Sequence, residues 1–372
     1  PSSESFRRDG HLPSRDDAWT LCHNPGMPLA PPVGVVIANH NNCAFVDNAI
    51  ESVARQTVRD LRVVVVDDAS TDSSDEVIRR CLARLGDTRF RYVKLGANLG
   101  QAGTLRRGMA ELDTPFVCFL DSDDLWYDDF VARHLAVHMN ADFPVALTYC
   151  DSHVIDADGR ILAGTAWWFD SDNPQAKAQR TIAPALTPTF DPARGELVYP
   201  RNGSVTFHPQ WTPAGATNTT ASMMFRRAFV DLVLVLPSHE LRLYVDFYLS
   251  TFACLMTGAI GIHEALYGYR MHGGNSHSYA TGPGGAYNSA KREWEPIRRY
   301  ILKLVQRTLR DEAETLRLTF GEERHSIAEQ LIADSVGALP VERRVPARSR
   351  LPELLLGLVG DGLSRLGLRG RS

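Results

Sequence analysis

The stretch Val33-Gly-Val-Val-Ile-Ala38-Asn-His-Asn41 decides how this chain of 372 residues is read. Its first six residues form an unbroken apolar run, as for a strand buried on both faces, and polar residues follow at once. Outward from it the pattern repeats. Val46, Ala49, Ile50 and Val53 keep helical spacing. Residues 61–66, 90–95, 116–120 and 145–149 read as further strands, and residues 77–85, 102–112 and 128–139 as the helices between them. Strands alternating with helices predict an α/β fold, a mostly parallel sheet covered on both faces.

Composition narrows the function classes. Basic and acidic residues number 40 and 44, which excludes a dedicated nucleic-acid binder. No apolar run approaches the roughly 18 residues of a membrane span. The opening ten residues are polar and do not read as a signal peptide. Six cysteines, at 22, 43, 81, 118, 150 and 254, include no CxxC pair and read as reduced thiols of a cytoplasmic protein. Five regions are expected: an extension over 1–32, a nucleotide-binding half over 33–151, a second half over 152–285, a helical region over 286–340 and a basic, Leu-rich tail over 341–372.

In a doubly wound sheet, ligands bind at the carboxyl ends of the strands. Three of those ends are polar here: Ala38-Asn-His-Asn41, Asp67-Asp68-Ala-Ser-Thr-Asp72 and Asp121-Ser-Asp-Asp124. Carboxylates packed as closely as Asp121, Asp123 and Asp124 repel, and a hard divalent cation such as Mn²⁺ or Mg²⁺ relieves that repulsion while bridging to phosphate. An acidic helix start accounts for the same pattern. Asp68 can accept the ring N–H of a pyrimidine, and Asn98-Leu-Gly100 supplies a turn that lets backbone approach a ligand closely. Asp246 is the only charged side chain between Leu243 and Met256, so it is either paired with a distant Arg or placed for catalysis. Trp167, Trp168 and Trp211 lie in a stretch rich in Pro, Gly, Asn and Thr, where they either face a sugar ring or close a small core.

Five segments in order resemble the family 2 glycosyltransferases, from Val33 to about His277. They are Val35-Val-Ile-Ala-Asn-His-Asn41, Val65-Val-Asp-Asp-Ala-Ser-Thr-Asp72, Asn98-Leu-Gly100, Phe119-Leu-Asp-Ser-Asp-Asp124 and Tyr269-Arg-Met-His272. The resemblance implies a GT-A (Rossmann-like) fold and inverting, metal-dependent sugar transfer from a nucleotide-sugar, most often a UDP-sugar. It implies that Asp68 binds base or ribose, with Ala38, His40, Asn41, Asn98 and Gly100 around the nucleotide. Asp121 and Asp123 become the DxD element, Asp123 the direct ligand of Mn²⁺ or Mg²⁺, with His272 near metal or diphosphate and Asp246 the catalytic base. The acceptor becomes a carbohydrate or lipid-linked hydroxyl, contacted by the Trp-containing middle.

The chain departs from the family pattern in three places. Ala38-Asn-His-Asn41 stands for Pro-Thr-Tyr-Asn, Leu105-Arg-Arg107 for Ala-Arg-Asn, and Val245-Asp246 for Glu-Asp. The Gln-x-x-Arg-Trp signature of processive synthases is missing, which implies transfer of a single sugar. A sugar-phosphate nucleotidyltransferase needs a Gly-rich, Arg-containing loop after strand one, and Ala38-Asn-His-Asn-Asn42 is not one. An inactive carbohydrate-binding module tolerates loss of the carboxylates, yet all are present. The tail carries seven Arg against three acidic residues, interleaved with Leu, which reads as peripheral membrane contact, as a helix packed on the domain, or as a disordered end.

Overall fold

The computed structural model describes residues 30–164, 189–191, 196–198, 205–212, 219–275, 278–281, 287–289 and 291–338. Trp167, Trp168, Cys22 and the tail over 341–372 lie outside the described residues, as do most of the N-terminal extension and much of the loop-rich middle.

Strand β1 (Val33–Asn39) is the hub. It runs parallel to β2 (Leu61–Asp67) on one side and to β4 (Phe116–Asp121) on the other. The register sets Asn39 beside Asp67 and Ala38 beside Asp121, so the polar strand ends meet at one edge. β3 (Phe90–Lys94) continues the parallel set beyond β2. On the far side β11 (Met223–Arg226) lies antiparallel between β4 and β6 (Leu147–Ile155). β12 (Ala259–Arg270) then pairs parallel with β6, and β10 (Val205–His208) closes that edge. The order is β3-β2-β1-β4-β11-β6-β12-β10, with short β5 (Leu125–Trp126) paired to β12 and β7 (Ile161–Ala163) to β6, the mostly parallel sheet that the alternating pattern predicts; β8 (Thr189–Asp191) and β9 (Glu196–Val198) pair separately.

Side chains alternate across β1, which is why the run has to be apolar throughout. Val35 and Ile37 pack with Ile50 of α1 (Val46–Ala54), Ile78 of α2 (Ser74–Leu85) and Phe130 of α4 (Phe130–Asn140). Val36 faces the opposite layer with Leu105 and Met109 of α3 (Gly100–Met109). Each such fully buried aliphatic contributes about 1.5–3 kcal/mol. Helix α3 approaches the sheet so closely that a Cβ on Gly108 would come within 2.4 Å of Val36 Cγ1.

The second layer holds α5 (Arg227–Val233) and α6 (Val245–Met256), the apolar stretch around Asp246. Three C-terminal helices, α7 (Lys291–Asp311), α8 (Ala313–Phe320) and α9 (Glu322–Ala338), cover them. The hydroxyl of Tyr248 on α6 donates to the Val233 carbonyl (2.9 Å) and lies 2.9 Å from the Thr308 hydroxyl on α7. Cys81, Cys118, Cys150 and Cys254 are free and buried, and Cys43 is free and half-buried. Among the described residues no helix is long and apolar enough to cross a membrane.

Candidate active site

The carboxyl edge of β1, β2 and β4 gathers two kinds of polar group. The first kind is engaged by its neighbours. Asn39 Nδ2 donates to Asp67 Oδ1 (2.8 Å), and the Ser70 hydroxyl donates to the same oxygen. Asn41, in the left-handed region at φ 56°, takes the Thr71 N–H on Oδ1 (2.8 Å), and its own N–H donates to Ser70 Oγ (2.9 Å). Asp68 is buried and accepts backbone N–H groups from Leu99 (2.6 Å) and Gly100 (2.9 Å). The turn therefore docks onto the end of β2. Gly100 sits at φ 73°, and a Cβ there would meet the Arg242 backbone at 3.0 Å.

His40 Nδ1 lies 2.8 Å from the Asp68 carbonyl and hence carries the proton, which leaves Nε2 as the acceptor for Asn98 Nδ2 (3.2 Å). Asn98 Oδ1 in turn accepts the Arg242 guanidinium, a group from the other half of the chain. Ala38 gives its carbonyl to the Ser122 N–H (3.1 Å). Ala38, His40, Asn41, Asp68, Asn98 and Gly100 thus share one edge of the sheet.

The second kind carries unrelieved charge. Asp121 is pushed up to about 7 by burial, then by the charges of Asp123 and Asp246, against a weak hydrogen bond from Gln101. Burial likewise pushes Asp246 up to about 6, against backbone N–H donors of its own helix turn. Among the described residues no Lys or Arg pairs with Asp246, so the reading of a distant Arg partner has no support there. Asp123 Oδ2 lies 3.2 Å from His272 Nε2, bringing together residues 149 apart in sequence.

Asp124 differs from its neighbours. It is buried, accepts the Arg270 N–H (2.8 Å), and is raised well above the usual carboxylate range by burial and by Asp123 and Asp121. Arg270, buried at the end of β12, donates through Nε to the Asp123 carbonyl (2.7 Å) and through Nη1 to the Ala157 carbonyl (2.7 Å). It also lies over the Phe45 ring at 5.0 Å. The acidic turn is therefore braced from behind, with Asp123 left facing His272.

The donor set suits a divalent cation. Asp123 offers hard oxygen, His272 a nitrogen opposite it, and Asp121 a carboxylate raised first by burial and then by the charges of Asp123 and Asp246. Among the described residues no group of three His, Cys, Asp or Glu closes around a point.

Two site residues escaped the reading of the sequence. Gln101, directly after the Asn98-Leu-Gly100 turn, reaches Asp121, Thr220 and the start of α6. Arg270 stands inside the quoted Tyr269-Arg-Met-His272 segment, and its signal was a lone cation at the end of a buried strand. Trp211 is 4% exposed and packs in the helix-side core with Phe225 and Leu249, so the described structure places it as a core side chain.

Residues 34–194 match the family model described as glycosyl transferase family 2. An uncharacterized glycosyltransferase of Nostoc sp. is 26% identical over 249 residues, 67% of each chain. A validoxylamine A glucosyltransferase of Streptomyces hygroscopicus subsp. limoneus is 30% identical over 190 residues, 46% of this chain and 38% of that protein. The match thus spans well under half the length of that relative. Among solved structures, S. aureus TarS 1-349 in complex with UDP is similar over 81% of this chain and 70% of its own, at 14% identity and a TM-score of 0.47.

Proposed function

The chain carries a family 2 glycosyltransferase domain, and from that premise we propose that it transfers one sugar from a nucleotide-diphosphate sugar to a hydroxyl acceptor with inversion. The observation that carries this reading is Asp246: a carboxylate without a cation partner among the described residues, raised to about 6, and close enough to Asp121 to raise that group as well. A general base works best with a pKa near the operating pH, and this one lies within reach of neutrality.

In the proposed reaction Asp246 takes the proton of the acceptor hydroxyl as the oxygen attacks the anomeric carbon. The bond to the diphosphate oxygen breaks on the opposite side. Asp68 and the His40–Asn98 pair shape the nucleotide pocket, which suits a uridine nucleotide. Asp123 and His272, with Asp121 beside them, would hold a Mn²⁺ or Mg²⁺ ion, which when bound would supply positive charge against the departing diphosphate. Arg270 keeps the acidic turn in place while that charge changes. The acceptor is a hydroxyl of a carbohydrate or of a lipid-linked glycoconjugate, in polysaccharide or glycoconjugate assembly on the cytoplasmic side.

A panel of UDP- and GDP-sugars, with and without Mn²⁺, tests this reading by release of nucleotide diphosphate. Turnover that needs the cation and fails in Asp123→Asn supports it. Full activity in excess chelator removes the metal from the mechanism.

A further inference from the structure

Helix α6 begins in an unusual way. Its N-cap, Tyr244, sits in the left-handed region at φ 62° and offers no side-chain cap. A non-glycine residue held there is strained and persists only when its surroundings enforce it. The first backbone N–H groups of any helix lack partners inside the helix. Here the Val245 N–H is taken by Gln101 Oε1 at 3.2 Å, a residue 144 positions earlier. The same amide points its Nε2 to Thr220 Oγ1 (3.2 Å) and to Asp121 Oδ1 (3.4 Å). The Gln101 backbone N–H meanwhile donates to the Arg242 carbonyl at 2.7 Å, two residues before the helix cap.

We infer that Gln101 is a positioning residue: it caps the strained start of α6 from outside and so fixes the Asp246 carboxylate against Asp121. The inference rests on the transfer reading above, in which Asp246 is the base. An amide is the side chain that fits. It accepts from Val245 with one atom and donates to Thr220 and Asp121 with the other, and it adds no charge to a site that already holds several carboxylates. Thr220 opens the short turn over Thr220–Ser222 that leads into β11, so the fork ties three separate segments at one point. Gln101 itself acts only through these partners.

The test uses the full chain and two variants. Gln101→Met keeps length and volume but cannot accept or donate, and Gln101→Glu keeps the acceptor while adding a charge beside Asp121. In Gln101→Met the Val245 amide is expected to exchange faster by up to about tenfold, the loss of one hydrogen bond. Melting temperature and calorimetric affinity for UDP with Mn²⁺ should stay near wild type. Hydrolysis of UDP-glucose with Mn²⁺, where water stands in for the acceptor, should slow by about 10²-fold, the typical consequence of an ångström-scale misplacement. Gln101→Glu should be slower still. In the Asp246→Asn background the Met substitution should have little further effect, because both changes remove the same alignment. Unchanged exchange at Val245, or losses that simply multiply, overturns the role of Gln101. A wild-type rate that Asp246→Asn leaves unchanged overturns the base assignment instead, and the exchange result then decides alone whether Gln101 holds the helix.

Discussion

Asp68, just past the end of β2, and Asp246, in the first turn of α6, are both carboxylates, and they are treated in opposite ways. Asp68 is buried with a backbone N–H on each oxygen, from Leu99 and Gly100. Asp246 has no cation among the described residues, and burial lifts it to about 6. The neighbourhood of Asp68 fixes backbone: Asn39, Asn41 and Ser70 tie the ends of β1 and β2 into one rigid edge. Beside Asp246, Asp121 is raised to about 7, first by burial and then by the charges of Asp123 and Asp246. In the proposed reaction the difference separates a region that would hold the donor from one that would move a proton, because a fully hydrogen-bonded carboxylate is a poor base.

The largest effect expected is on turnover. Asp246→Asn should lower the rate by about 10²–10⁴-fold, the usual contribution of a general base, while UDP affinity stays within about twofold. The wild-type rate should rise with pH through about 6, since only the ionised Asp246 accepts a proton, and the variant should lose that limb. Loss of UDP affinity in step with turnover would erase the division between the two regions.

An acid limb has a second source that must be separated from the first. His138, buried on α4 against the Met224 carbonyl, is pushed down to about 4 by burial. The unfolded chain takes that proton near 6.5, so stability is complete above pH 6.5 and falls as pH drops toward 4, by about 3 kcal/mol at most. Burial pushes His134 and His153 down as well, so His138→Gln, which retains a donor for the carbonyl, should lessen but not abolish the decline of melting temperature between pH 6.5 and 4. If it also moves the activity limb, that limb reports the fold and not Asp246.

Asp68→Ala should cost about 2–3 kcal/mol of stability, because two backbone N–H groups lose charged acceptors at a buried position. Donor affinity should fall with it. A variant that folds as well as wild type and binds UDP normally would show that Asp68 is not what shapes the edge.

The smallest expected effect has the opposite sign. The folded-state pKa of Asp246 lies above its unfolded value, so its contribution to stability declines as pH rises from about 4 to 6 and stays unfavourable above. Asp246→Asn should therefore gain about 1–2 kcal/mol at pH 8, read as a higher melting temperature. A loss would mean that the ionised form is better supported than its surroundings suggest.

Much of this was legible in the chain. The apolar runs of β1, β2 and β4 carry their own assignment, since a strand covered on both faces has no polar side to offer. Asp121 and Asp123 stood out because carboxylates directly after such a run need a reason. The antiparallel entry of β11 was not legible, because the apolar residues of Met223–Arg226 read alike in either direction. Gln101 carried no signal: its partners lie 20, 119 and 144 residues away, and no periodicity links a polar side chain to contacts of that range. The Asp123–His272 pair was reached only through the family resemblance, for the same reason.

The place of β11 has a practical consequence for anyone who would move this domain between proteins. β4 and β6 both fall within the residues that match the family, yet they are not neighbours; β11, some thirty residues past the end of that match, is threaded between them. A graft cut at residue 194 would leave a slot in the middle of its sheet, with two rows of backbone donors and acceptors facing each other across a missing strand. Chimeras that exchange acceptor preference therefore need their junctions on the far side of β12, where the sheet is whole.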